Sequence, residues 1–445
     1  MIDMNRIKEI INAAEIDLKE CYDYLALLKS KNFNGLENFQ PKLAETLYCL
    51  TDLYDKLKSK TKFCHKQDIS YNISHSEIQL LLNSIKRLIK IGQHMGDIFA
   101  WYFYKDEPSK IQEHLNHQET GLFTPRLGGI GELEFLKKFQ FIGDCLLILH
   151  ANTNILRIAD FSIYNPTDGI IGTVELKTNK TEIEEEANIV AHIVSEYTDI
   201  AIKLHKSFEM MKDSSSEKIQ QSYIFNLDRF EKQVEQQKKF VNVPKTALIN
   251  GIDAELDFTF IEKAYKKGIS INDENCLIAI TKKNIGDTFF DRFVSNSSEF
   301  PPIEILNEIM AKKFYQNKRE NYPTLMTQLN PYIISPYYTP MFFNCIDVEI
   351  YKDILFENIS IIILLNPTMF LKYFEKNGYE VNVYNKTKSI IISKIIKGNK
   401  VETNFNWIEH LLAERFIKTD CVLEIIKKII DKFESNPNCK IEMKM

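Results

Sequence analysis

The sequence predicts a mixed α/β protein in three regions, and three observations carry that expectation. Apolar residues recur at three-and-four spacing through residues 1–117, the pattern of amphipathic helices. Near residue 128 the pattern changes to short apolar or alternating runs separated by turn signals, which read as strands. Beyond the polar, proline-ended stretch NSSEFPP, helical and strand runs alternate once more. The expected organisation is a helical N-terminal domain over 1–119, a central α/β domain over 120–300 and a C-terminal α/β domain over 301–445.

In the first region, RIKEIINAAEIDLKECYDYLALLKS places Ile7, Ile10, Ile11, Ala14, Leu18, Cys21 and Leu25 on one stripe. NFQPKLAETLYCLTDLYDKLKS repeats the pattern, with Pro41 expected in a first turn. A longer helix follows from SHSEIQ to WYFYKDE, opened by a Ser-x-x-Glu-like start. Together these make a small bundle or helical hairpin, a scaffold or dimerisation element before a target sensor. His114 and His117 have a metal-ligand spacing on a helix, but no Cys or acidic cluster completes a set. They are expected at the surface or at the helix end. TGLFTPRLGGIG (120–131) is punctuated as a linker.

The central region begins with a short helix, GELEFLKKF, and an apolar strand, CLLILHA (145–151). NILRIADFSIY (154–164) alternates as a second strand, NPTDG (165–169) is a turn, and IIGTVELKT (170–178) is a third strand. Residues 181–241 read as helices broken at KDSSSE. KTALINGI, a helix in DFTFIEKAYKKG, and the buried strand ENCLIAITK follow. The last region offers the helix EILNEIMAKKFYQNKR, an aromatic coil NPYIISPYYTPMFFN, the strand ISIIILLN, the helix TMFLKYFEKNG, strands in EVNVYNKTKSIIISKII and closing helices. The aromatic coil is a packing element before it is a base-stacking surface.

Composition limits the partners. With 44% hydrophobic and 26% charged residues the chain is an ordinary globular protein. A net charge of −5 gives no global basic field, so nucleic acid would be held by a local patch. The eight cysteines are scattered without a CxxC, which fits reduced thiols in a cytoplasmic protein. The N-terminus has no apolar signal region, and no run approaches the roughly 20 apolar residues of a membrane span. No membrane partner is expected. There is no Walker A, no GxSxG, no zinc spacing and no internal repeat.

Chemistry concentrates in one constellation. Hydrolysing a phosphodiester needs carboxylates to hold a divalent metal, an activated water and a group to offset developing negative charge. Along a strand, residues i and i+2 share a face, so Glu175 and Lys177 point together while Leu176 points into the core. If the two strands pair antiparallel, Asp160 comes level with Glu175. The two carboxylates, with the Leu176 carbonyl as a third ligand, would then hold one ion, and Lys177 would position water or neutralise phosphate. Glu132 shares a helix face with Phe135, Leu136 and Phe139 and so points inward; Glu134 lies with Lys137 and Lys138 and looks solvated. An inward carboxylate is costly unless paired or metal-bound. Arg157 shares the strand with Asp160 and is a candidate for a place near phosphate. The competing reading is a solvated strand pair with an exposed salt bridge. Against it, Asp160 and Glu175 are each flanked by apolar residues.

At Gly131-Glu132, Asp160 and Glu175-Leu176-Lys177 the chain resembles the PD-(D/E)xK nuclease superfamily, the restriction-endonuclease-like fold. Ala159 stands where that pattern has Pro, and the region after the third strand is longer than a minimal core needs. The resemblance implies an αβββαβ core, Mg²⁺ (or Mn²⁺) dependence and cleavage of DNA, more rarely RNA. It implies Asp160 and Glu175 as metal ligands, Lys177 as catalytic lysine and Glu132 as the helix-borne acid. A downstream glutamine, one of Gln233, Gln236 or Gln237, would join the site, and ENCLIAITK or KTALINGI would be the last core strand. Helical additions on both sides resemble stand-alone bacterial defence nucleases, with a homo-oligomer or a defence-system partner protein engaged through the N-terminal helices. The alternative is a nucleic-acid-binding or protein-interaction module with an inactive nuclease-like core.

Overall fold

The computed structural model describes residues 4–33, 35–66, 75–117, 127–142, 145–180, 187–195, 259–272, 276–282, 325–332, 334, 340–343, 346–384, 389–409, 411–412 and 419–435. The chain divides into two compact units. One comprises residues 1–248 with 287–294 and 334–340; the other comprises 249–286, 295–333 and 341–445. These units do not follow the expected breaks at 119/120 and 300/301, because the N-terminal helices and the central sheet share one unit.

In the first unit, α1 (Met4–Lys29), α2 (Leu36–Lys66) and α3 (His75–Tyr104) pack on one another, followed by α4 (Pro108–Asn116). The stripe of α1 is buried as the spacing requires, at Ile7, Ile11, Ala14, Leu18, Cys21 and Leu25. Pro41 lies inside α2, not in its first turn, because the helix starts one turn earlier at Leu36. At that depth the ring supplies no N–H for the bond to the Glu37 carbonyl, so Pro41 costs α2 one intrahelical bond.

The sheet of this unit runs β1-β2-β3-β4-β5, wholly antiparallel: β1 (Phe141–Ile142), β2 (Cys145–Leu149), β3 (Phe161–Asn165), β4 (Gly169–Lys180) and β5 (Ala187–Ser195). Helix α5 (Leu127–Lys138) precedes it and lays Leu133, Phe135 and Leu136 on Leu147, Leu149, Phe161, Val174 and Leu176. This single apolar layer fixes how α5 meets the strands. Beyond the two-residue β1, the outer edge of β2 is covered by a side chain. The Gln40 carboxamide donates to Leu147 O (2.7 Å) and accepts from Leu149 N (2.9 Å), taking the place of a strand partner. Gly96 of α3 allows helix backbone to touch the short 3₁₀ turn His150–Asn152, where a Cβ would lie 1.9 Å from Asn152 O.

Three expectations change. NILRIADFSIY is not a strand throughout: 153–160 is irregular, and β3 begins only at Phe161. The alternation of Ile155, Arg157 and Ala159 is local, whereas the backbone there is held by distant side chains. Second, the stretch after Glu-x-Lys, expected to be helical, contains β5, paired with β4 from Gly172 to Lys180. The succession α5-β2-β3-β4 therefore leads to another antiparallel strand, and the αβ remainder of an αβββαβ core is not found among the described residues. Third, ENCLIAITK does not join this sheet. As β7 (Cys276–Lys282) it sits in the second unit and pairs with ISIIILL, β9 (Ile359–Leu365). KTALINGI, the glutamines 233, 236 and 237, and the helix EILNEIMAKKFYQNKR lie outside the described residues.

The second unit holds a sheet of order β6-β7-β9-β8, where β6 is Ile269–Asn272 and β8 is Leu325–Gln328, with α6 (Thr259–Lys267) and α7 (Val348–Leu355) against it. Helix α8 (Thr368–Lys376) leads to a three-stranded meander, β10 (Glu380–Tyr384), β11 (Ser389–Ile396) and β12 (Asn399–Asn404). The short α9 (Asn406–Glu409) and the long α10 (Thr419–Ser435) close it. Of the aromatic coil, Phe342 is buried and packs edge-on against Tyr351 and Phe343, a core role. Among the described residues, no helix is long and apolar enough to cross a membrane. Among the described residues, Cys21, Cys49, Cys145, Cys276 and Cys421 are not joined in disulfides.

Candidate active site

Asp160 sits at the entrance to β3, one step after Ala159, whose φ of +63° is left-handed. The ladder pairs Phe161 with Val174, which would set Asp160 opposite Glu175. Instead the Asp160 N–H donates to Val174 O (3.0 Å), one residue short of that step. The slip frees the next amide of β4: Leu176 N–H donates to Asp160 Oδ2 (2.6 Å). A strand residue's N–H and C=O point to the same side, so the Leu176 carbonyl faces the β3 side with Asp160. Its side chain is in the core, as the alternation requires.

Glu175 is 5% exposed, and Lys177, on the same face two residues on, donates to its Oε1 (2.6 Å). In register, Glu175 is the Cα partner of His192 on β5. Glu132 approaches from α5. Burial, then the charges of Asp160 and Glu175, hold its carboxyl well above the usual range. Burial and then the charge of Glu175 push Asp160 to about 7, against the pull of the Leu176 N–H and Lys177. Glu132, Asp160, Glu175 and Lys177 therefore do form one electrostatic cluster. Three carboxyls meet one cation there, and those of Glu132 and Asp160 are pushed toward keeping their protons, a demand that a hard cation with oxygen ligands would meet. The geometry is less complete: among the described residues, no group of three or more His, Cys, Asp or Glu side chains is arranged to hold a metal ion. Asp160 and Glu175 supply carboxylate oxygens, the donors a hard cation takes, and Glu132 does not complete a three-carboxylate cage with them.

Arg157 is not aimed at a phosphate. Its Nε donates to Asn154 O (3.0 Å), and its Nη1 to Leu115 O (3.3 Å) and His117 O (3.0 Å), bracing the end of α4. His114 is not at the surface. It is fully buried and accepts the backbone N–H groups of Arg157 (3.0 Å) and Ile158 (3.1 Å) at Nδ1. Other residues that shape the segment before Asp160 had no local signal. Asp97 accepts from Asn154 N (2.6 Å), Asn154 Nδ2 (3.0 Å) and Ile155 N (3.0 Å). Tyr104, His150 and Ser162 are buried together behind it. The turn after β3 is clamped by Glu107 and Lys110, which accept Ile170 N–H (2.9 Å) and donate to Ile170 O (2.6 Å). The local sequence marks none of them as partners of this segment, and only the fold assembles them.

Comparisons of the chain with protein-family models, with curated proteins and with solved structures found no match.

Proposed function

We propose that the chain is a Mg²⁺-dependent nuclease that hydrolyses phosphodiester bonds, with DNA as substrate, in bacterial anti-phage defence. The observation that carries the reading is the cluster itself: Asp160 just before β3, Glu175 on β4, a buried helix carboxylate whose proton affinity burial and then their charges raise, and a lysine paired with Glu175. Asp160 and Glu175 would hold Mg²⁺ or Mn²⁺ with the Leu176 carbonyl. When bound, the ion supplies Lewis-acid polarisation of the phosphate. The protein's own groups do the rest. The Leu176 N–H fixes the Asp160 carboxylate in place. Lys177 places an ammonium where negative charge develops on phosphate. Glu132, whose proton affinity is raised by burial and then by the charges of Asp160 and Glu175, is the helix-borne acid.

Asp160→Asn, Glu175→Gln and Lys177→Ala are expected to abolish EDTA-sensitive cleavage of plasmid and oligonucleotide substrates while the proteins stay folded. Undiminished cleavage by Glu175→Gln and Lys177→Ala would remove the assignment. A second reading, a binding or protein-interaction module with an inactive nuclease-like core, is favoured by the antiparallel β5 and by the absence of a three-carboxylate cage among the described residues. Wild-type protein that binds DNA, cleaves nothing and takes up no Mn²⁺ would establish it.

A further inference from the structure

Behind Asp160 four buried side chains form a hydrogen-bond chain whose ends are backbone groups. At one end, the amides of Arg157 and Ile158 can only donate, so His114 Nδ1 accepts and the ring proton lies on Nε2. His114 Nε2, 3.3 Å from the Tyr104 hydroxyl, therefore donates to it. At the other end, Ala159 O can only accept, so His150 Nδ1 donates to it (3.0 Å) and Nε2 is the acceptor. Ser162 Oγ–H must then donate to His150 Nε2 (2.6 Å), which leaves the Ser162 oxygen to accept from Tyr104. Every proton has one place, and each link donates once and accepts at least once. Both imidazoles are neutral, consistent with the burial that lowers their proton affinity.

The chain grips the backbone on both sides of a costly conformation. A left-handed alanine costs roughly 1–2 kcal/mol, and such strain persists only where the surroundings over-determine it. Here the His114 ring holds the two amides before Ala159, the His150 ring holds the Ala159 carbonyl, and the His150 backbone N–H donates to Asp160 O (2.9 Å). We infer that Tyr104, His114, His150 and Ser162 are positioning residues for Asp160: they hold residues 157–160 in the left-handed step that aims its carboxylate at the Leu176 amide and Glu175. The assignment rests on the reading of Asp160 as a site carboxylate.

Tyr104→Phe removes one link at nearly constant shape. Amide hydrogen exchange measured by NMR should accelerate at least tenfold at Arg157, Ile158, Asp160 and Leu176, and stay unchanged at Ile163 in β3 and Ile392 in β11. Mn²⁺ should bind at least tenfold more weakly. In DNA cleavage, kcat should fall with KM unchanged. Unchanged exchange at Leu176, or uniform acceleration through the whole first unit, overturns the positioning role. If Tyr104→Phe does not fold, Ser162→Ala breaks the next link and is read the same way. Exchange needs no catalysis, so the two ideas separate. Local loosening in a protein whose wild type cleaves nothing keeps the positioning role and sinks the nuclease. Wild-type cleavage with a Tyr104→Phe protein that matches it in exchange and kcat does the reverse.

Discussion

Gly96→Ala puts the packing beneath the site under the most direct test. The added Cβ would lie 1.9 Å from Asn152 O and 2.7 Å from Asn152 C. Both are backbone atoms, so no side chain can swing aside, and contacts of about 3.5–4.0 Å are restored only if α3 withdraws by roughly 1.6 Å or more. Asp97, the next residue, moves with it. Its bonds to Asn154 Nδ2 and Ile155 N, both 3.0 Å, and to Asn154 N, 2.6 Å, would then all exceed hydrogen-bond range. Three lost bonds cost about 1 kcal/mol each, overpacking adds about 1–3 kcal/mol, and the better helix propensity of Ala returns about 1 kcal/mol. The net loss is about 4 kcal/mol, near a thousand-fold in the open population. Amide exchange at Asn154 and Ile155, with thermal melts by circular dichroism, reads it. Two controls make the series discriminating. A Cβ at Gly92 would meet Leu47 Cδ2 at 2.8 Å and the ends of Leu18 and Leu43, flexible tips that can yield. At Gly128 it would meet nothing within 4 Å. Gly92→Ala should cost under about 1 kcal/mol, and Gly128→Ala should be neutral or stabilising. A Gly96→Ala protein as protected as Gly92→Ala would refute the reasoning.

Other outcomes follow from the charges and caps. Asp160, raised from 3.8 to about 7, contributes stability that is present below pH 4 and lost as pH rises through 7. A cation on Asp160 and Glu175 would offset that loss, so Mg²⁺ should raise Tm more at pH 8 than at pH 5, by at most about 4 kcal/mol of added stability; an equal shift at both pH values would count against ion binding there. His150, lowered from 6.5 to about 3 by burial, acts in the opposite sense: its contribution is present above pH 6.5 and lost as pH falls toward 3. His150→Gln should therefore flatten the acid limb of the stability curve by about 1.4 kcal/mol per pH unit between pH 6 and 4, and an unchanged slope would show that the imidazole is not held neutral. In the second unit, Asp347 caps α7 by accepting from Glu349 N (2.8 Å) and Ile350 N (3.4 Å); Asp347→Ala should lose about 1 kcal/mol in urea melts, and no loss would mean that water replaces the cap.

Sequence alone determined which face each side chain takes. A period of 3.6 buried the α1 stripe and turned Glu132 of α5 inward; a period of 2 set Glu175 and Lys177 on one face and sent Leu176 to the core. NPTDG marked the turn between β3 and β4, where Gly169 has a φ of +79°. Tertiary structure alone decided which groups those faces meet. Asp160 leaves the strand pattern because His114, Asp97 and His150 hold the backbone before it, and they come from three other elements. β5 is a strand because the outer edge of β4 offers a row of unpaired amides and carbonyls, and pairing overrides local propensity. Periodicity is a property of neighbouring residues and is written locally. The partners that raise Glu132 and Asp160 and that hold Ala159 in its left-handed step are brought together only when the sheet and its helices close on one core.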